Sequence, residues 1–541
     1  MTSRVLLLAS LLLMFTLVPG CGPPREAAPT SATAPPETQA ALTIVSGSEN
    51  KTLEPLIQRF AASKNVRIAV EYKGSVDIML ALQDTNTPYD AVWPANSLWI
   101  SLGDTHKRVK HSQSIMRSPI VFAVKKSLAT RFGWVGKPVR VEDILKQTEG
   151  GRLRWMMTSA TQSNSGACFY LGCLYAFSGQ PDVLSVAQIN NPATAAKTKA
   201  ILGSVNRSAG STGFLKDLFV EHYDDYDGMV TYEALLIETN QAMQGKTQDP
   251  LYAVYPTDGL TFADSPLGFI SKGDAAKEQL FQELQAYLLS AEAQRQILAQ
   301  GRRVGLGAKI VGGDPAVFNP SWGIDAGRTL SPIRLPEAAV IKQALDLYQT
   351  AFRKPSLNIY VLDYSGSMEG ERIDSLKSAM GRILDQSRAG QYFLQASSRD
   401  VNVVIPFSSS ARGPWSVRGN NPDQLGDLLA RINREAPSAG TALYSAVEKA
   451  LDTLQTYRDR EKYLSAIILL TDGESNQGDS FQQLQAHARN LGFTRMPPIF
   501  AMRIGEASET QLKDLVSWTS GRFFGDTKDL SSAFREVKGY N

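Results

Sequence analysis

Asp363, Ser365 and Ser367 occupy alternate positions in the run Asp363-Tyr364-Ser365-Gly366-Ser367. One carboxylate and two hydroxyls, all oxygen and low in charge, form a donor set suited to a hard cation. The residues before them, Leu357-Asn358-Ile359-Tyr360-Val361-Leu362, are mostly apolar and β-prone, which predicts a buried parallel strand. After them Ile373, Leu376, Met380 and Ile383 recur at helical spacing. The oxygens therefore leave the carboxyl end of a strand, where open α/β sheets place their ligands. Two further strand ends offer partners. Gly440-Thr441 opens a helix after the polar loop Arg434–Ala439, and Asp472-Gly473 follows the apolar strand Ile467–Leu470.

The elements that must position these groups alternate regularly. Strands are expected at Leu357–Asp363, Val401–Pro406, Ala466–Thr471 and Ile499–Ile504, with Arg522–Phe524 as an edge strand. Helices fall between them at Ile373–Gln386, Pro422–Ile432, Ala442–Leu454, Phe481–Leu491, Glu509–Thr519 and Leu530–Val537. That order predicts a doubly wound, Rossmann-like sheet with helices on both faces. Asp-x-Ser-x-Ser, then Gly-Thr before a helix, then Thr-Asp-Gly after an apolar strand, resembles the von Willebrand factor A (vWA) domain and its metal-ion-dependent adhesion site. The resemblance covers Leu357 to about Val537. It implies Asp363, Ser365, Ser367, Thr441 and Asp472 as the metal residues. Neutral hydroxyls leave most of the charge of Mg²⁺ (or Mn²⁺ or Ca²⁺) unquenched, and Mg²⁺ takes few protein oxygens alongside water. A coordination position is then open to an Asp or Glu carboxylate of a protein partner. Glu369 and Glu474, close in sequence, read as exposed charges or as groups behind the ligands rather than as metal ligands.

The middle of the chain repeats a β-α-β alternation. Ala41–Val45, Val66–Tyr72 and Tyr89–Trp93 read as strands, and two of them end in Gly/Ser turns that open helices. Backbone N–H groups at such turns can receive a polar or anionic ligand. A second unit follows, with strands at Pro119–Val124, Trp155–Met157, Met229–Glu233 and Leu251–Tyr255 and the Ser/Thr-rich turn 158–166. This arrangement resembles a type 2 periplasmic solute-binding protein over about Leu42 to Pro332. The resemblance implies two lobes, two chain crossings placed near Arg117–Ala123 and Val254–Gly259, and a cleft lined by Ser46, Ser48, Ser75, Asn96, Thr161, Ser165 and Tyr232. A small polar or anionic solute is expected there. Pro336–Arg353 carries Ile341, Ala344, Leu345, Leu347, Tyr348 and Phe352 on one helical face and reads as a connector packed on a domain.

Arg4 and the apolar run Val5–Val18 have the form of a secretory signal, too short for a membrane span. Leu17-Val18-Pro19-Gly20-Cys21 resembles a bacterial lipoprotein cleavage site, which implies a lipidated Cys21 and extracytoplasmic anchoring in the cell envelope, at the periplasmic face of the inner or outer membrane or at the cell surface. Gly22–Ala41, rich in Pro, Ala and Thr, cannot build a core and reads as a tether. The expected plan is thus signal peptide 1–20, tether 21–41, a two-lobed domain 42–333, a helical connector 334–356 and a vWA domain 357–541. The fold class is α/β throughout.

A formal net charge of +3 over 541 residues gives no reason to expect a nucleic-acid partner. The four histidines are scattered, and no Gly-x-Ser-x-Gly elbow or phosphate-binding loop occurs, so no enzymatic activity is expected. Cys168 and Cys173, five apart in a predicted helix, face different sides and read as two buried thiols. Together these features describe a membrane-anchored binding protein with two recognition modules. The alternative is a solute receptor feeding an ABC-type transporter, with the vWA domain as an accessory.

Overall fold

The computed structural model describes residues 41–305, 310–493, 495–505, 509–525 and 530–539. The apolar run Val5–Val18, Cys21 and the tether up to residue 40 lie outside the described residues.

Strands β1 (Leu42–Gly47), β2 (Ile68–Lys73), β3 (Ala91–Trp93) and β4 (Val109–Ser114) belong to the first lobe. The second lobe takes β5 (Ser118–Lys125), β6 (Trp155–Thr158), β7 (Arg207–Ala209), β8 (Gly228–Tyr232), β9 (Leu251–Val254) and β10 (Phe262–Ala263) before β11 (Pro266–Ile270) returns to the first. The sheet order is β2-β1-β3-β11-β4 in the first lobe and β10-β5-β8-β6-β7 in the second, where β9 also pairs with β5. β1 runs parallel to both β2 and β3, whereas β11 is antiparallel to β3 and β4.

The chain first changes lobe between Ser114 and Ser118, at the start of the expected stretch. The second crossing lies at residues 264–265, between β10 and β11, and not at Val254–Gly259. Residues 254–259 stay with the second lobe, where Thr257 N–H donates to Val139 O and Asp258 caps the backbone at Val141. A third passage follows Arg303, because Gly323 packs directly on Tyr252 of β9. The first-lobe core gathers Ile44, Phe60, Trp93, Phe269 and Phe281, and the second-lobe core stacks Phe122, Trp155 and Phe169.

The connector is the helix Ala338–Leu347 followed by one wider turn, Tyr348–Phe352. Its apolar stripe packs on the second lobe, as its face predicts. Tyr170 O–H donates to Ala344 O at 2.8 Å, and the Tyr170 and Tyr348 rings lie 5.4 Å apart.

The C-terminal sheet runs β14-β13-β12-β15-β16-β17. Its strands are β12 (Ser356–Asp363), β13 (Val401–Phe407), β14 (Trp415–Arg418), β15 (Leu464–Thr471), β16 (Ile499–Arg503) and β17 (Arg522–Phe524). All neighbours are parallel except β14, which folds back on β13. β12 is central and buried at every residue, so each large apolar side chain in it contributes about 1.5–3 kcal/mol. That rigid strand ends at Asp363.

Candidate functional sites

At the end of β12 the Asp363 carboxylate is buried and held by two donors. Oδ1 accepts from Ser365 N–H at 2.7 Å and Oδ2 from Thr471 O–H at 2.5 Å. The strand ends of β12 and β15 are thereby tied together. Ser365 and Ser367 place their Oγ atoms 3.1 Å apart, and Ser367 O–H donates to Asp472 Oδ1 at 2.8 Å. Thr441 comes from a loop that is drawn to the same point by Ser438 N–H donating to Tyr364 O. Gly440, at φ +88°, makes the turn that delivers Thr441, whose N–H donates to Asn476 Oδ1 at 2.9 Å. A Cβ built on Gly473 would lie 3.5 Å from Thr441 Oγ1 and 3.7 Å from Ser367 Oγ. All five sequence-predicted metal residues therefore meet at one strand-end cluster.

Burial pushes the Asp363 carboxyl up to about 6, and the nearby Asp472 charge adds to the effect. A donor set of two crowded carboxylates and three hydroxyls fits a hard divalent cation, which would relieve that repulsion. One neighbour escaped the sequence reading. Arg372, in the first turn of the helix Glu371–Leu384, donates to Asp472 Oδ2 at 2.6 Å and to Ser367 O at 3.3 Å. Glu369 and Glu474 are exposed, as expected.

The seven residues predicted for the cleft are placed differently. Ser48 lines a cavity of about 360 Å³ between the lobes; the other six do not. Ser46 bonds Asn50 and Trp93 O within the first lobe, and Asn96 caps the helix Ser97–Gly103 while donating to Phe262 O. Ser165 pairs with Thr158 and Thr212, and Thr161 donates to Gln349 of the connector. Ser75 accepts from Asn164 N–H, and the Asn164 amide in turn donates to Tyr232 Oη.

The physical reason is lobe closure. Val76 N–H donates to Gln162 O at 3.3 Å, Asn164 N–H to Ser75 Oγ at 3.2 Å and Gly213 N–H to Ser48 Oγ at 3.3 Å, so the hydroxyls of Ser48 and Ser75 satisfy the opposite lobe, whereas Ser46 and Ser165 are satisfied within their own. Asp90 and Glu233, which could have opposed an anion, are neutralised in place. Asp90 pairs with Lys277 at 2.9 Å; Glu233 is held by Arg303 through two bonds and by Tyr255. Cys168 and Cys173 are buried, unbridged thiols, and burial raises both.

Residues 42–303 match the family model described as bacterial extracellular solute-binding protein, and residues 359–536 match that of the von Willebrand factor type A domain. The chain joins a solute-binding domain to a vWA domain. Over 141 residues it is 25% identical to inter-alpha-trypsin inhibitor heavy chain H3 of Mus musculus, covering 25% of this chain and 15% of that protein. An uncharacterized protein of Synechocystis sp. is 31% identical over 130 residues, which span 24% of this chain and 28% of the relative. The chain thus spans under a third of either relative. The periplasmic binding protein P5PA is similar to this chain with a TM-score of 0.41 and 15% identity, over 55% of this chain and 93% of that one. Among the described residues no helix is long and apolar enough to cross a membrane.

Proposed function

We propose that this protein is an extracytoplasmic binding protein, tethered to a membrane through a lipidated Cys21, that uses its two domains for two kinds of ligand. The solute-binding domain takes a small polar or anionic molecule between its lobes. The vWA domain carries a metal-ion-dependent adhesion site at Asp363, Ser365, Ser367, Thr441 and Asp472 for a protein partner. The observation that carries this reading is the convergence of those five side chains at the ends of β12 and β15, with Asp363 raised by burial beside a second carboxylate.

The division of labour follows from the chemistry of the side chains. Asp363 is fixed through Ser365 N–H and Thr471, so it is suited to balance charge from behind. Ser367 is exposed at the rim, and Ser365 and Thr441 are buried beside it. A divalent ion held there supplies an electrophile for an incoming carboxylate. Solute-binding and vWA domains are typically non-catalytic binding modules, in keeping with this reading.

Affinity purification from a membrane extract with Mg²⁺ or with EDTA tests the reading. A protein retained by the parent chain only with Mg²⁺, and lost with Asp363→Ala, is the expected result. Equal retention in EDTA removes metal from the adhesion step.

A further inference from the structure

The cavity beside Ser48 has a wall that belongs to neither lobe. Arg522 of β17 and Glu536 of the C-terminal helix Leu530–Gly539 both line it. Arg522 lies 3.5 Å from the ring centroid of Phe214 in the second lobe, and its Nη1 donates to Glu536 at 2.6 Å. One residue earlier on that helix, Arg535 donates to Asp77 of the first lobe at 2.6 Å, with only 11% and 6% of the two side chains exposed. At its end Ser208 of the second lobe donates to Gly539 O at 2.7 Å. Gly210 and Gly539 approach so closely that a Cβ on Gly539 would lie 2.5 Å from Gly210 Cα. A single vWA helix is therefore fastened to both lobes beside the cavity.

Among its lining residues two buried side-chain oxygens have no hydrogen-bond partner. Ser211 is 7% exposed and lines the cavity, yet its Oγ makes no hydrogen bond; Glu49 Oε1 is likewise buried and unbonded. A buried oxygen left without a partner is destabilising until a ligand supplies one. Most charges around them are already spent on one another, Lys216 with Glu238, Asp77 with Arg535 and Arg522 with Glu536. Such a seat favours a small, polar, hydrogen-bonding solute over a highly charged one.

We infer that the vWA domain forms the third wall and the latch of the solute site: a small polar solute seated at Ser211 and Glu49 is enclosed by Arg522 and Glu536, and enters when the edge of the vWA domain lifts from the lobes. This rests on the reading of the cavity as a solute seat. The consequence is linkage. Whatever holds the vWA edge down slows solute exchange, and a solute that fills the cavity without lifting that edge holds the two domains together.

Access can be read without knowing the solute. In the full chain carrying Ser211→Cys, methyl methanethiosulfonate labelling is followed at that position by peptide mass spectrometry, so other cysteines do not interfere. Adding Arg522→Ala and Arg535→Ala should speed labelling at least ten-fold. Should Ser211→Cys itself fail to fold, hydrogen exchange on the Arg522→Ala/Arg535→Ala chain gives the same answer. The Val76, Asn164 and Gly213 amides, which bond across the lobes, should lose protection while β12 and β15 keep theirs. Unchanged labelling, or unchanged protection at those amides, overturns the latch. Either result leaves solute binding itself standing. That reading fails separately, if no member of a panel of small polar metabolites raises the melting temperature.

Discussion

Arg372 sets a guanidinium on one oxygen of Asp472 while Ser367 donates to the other, so a fixed cation already stands at the edge of the proposed metal seat. Because Arg372 is 40% exposed, its repulsion of a second cation is screened and amounts to about 1 kcal/mol or less. Arg372→Gln should tighten Mn²⁺ binding by up to about five-fold in titration calorimetry, whereas an unchanged or weaker affinity would make Arg372 a support for Asp472. Thr441→Ala and Ser367→Ala remove a neutral oxygen each and should weaken Mn²⁺ at least ten-fold with little change in melting temperature. The five residues of the proposed metal seat are legible in the sequence because each follows a strand or opens a helix, and strand ends converge by topology. Arg372 is not legible in this way. Nothing local to the start of a helix tells which carboxylate, 100 positions away, it will meet.

Two elements carry charges whose burial can be tested. The Arg303–Glu233 pair is buried, at 1% and 0% exposure, and joins the strand-end of β8 to the segment that follows the first-lobe helices. Arg303→Met would strand the Glu233 carboxylate and should cost about 3–5 kcal/mol in urea unfolding. Lys538, on the C-terminal helix, is buried near Asp400 and Arg353, and burial lowers its amine from 10.5 to about 8. Between pH 8 and 10.5 the unfolded chain binds more protons than the folded one, so this group's contribution to stability rises with pH, its full cost being present below pH 8. Lys538→Met should therefore be the more stable protein at pH 7, by at most about 3 kcal/mol, and its advantage should vanish by pH 10.5. At this scale most of the parallel strands are readable from their sequence, the edges β2 and β17 among them, whereas β7 and the antiparallel edges β4 and β14 are not. β4, Val-Lys-His-Ser-Gln-Ser, is polar and largely exposed, and becomes a strand only through its register with β11. β14, Trp-Ser-Val-Arg, has only four residues, none of them buried, and pairs with β13 at the sheet edge.

In the molecule as a whole the two domains share surface rather than hanging on a connector. Arg207 donates to Ser520 O and Arg495 pairs with Asp225, besides the contacts of the last helix around the cavity. Neither side of that contact follows a periodic pattern, because the faces involved are mixed in polarity and meet across 270 residues of chain or more. Most of the expected cleft residues line no cavity between the lobes for a related reason: closure lets Ser75 accept from the opposite lobe, while Ser46 and Ser165 are satisfied within their own lobes and Thr161 by the connector. What the arrangement does rests first on the metal seat. Titration calorimetry of Mg²⁺ and Mn²⁺ into the full chain and its Asp363→Ala variant tests it directly. The parent should bind one ion, released by EDTA, and the variant none at the same concentrations; full affinity in Asp363→Ala would contradict the account.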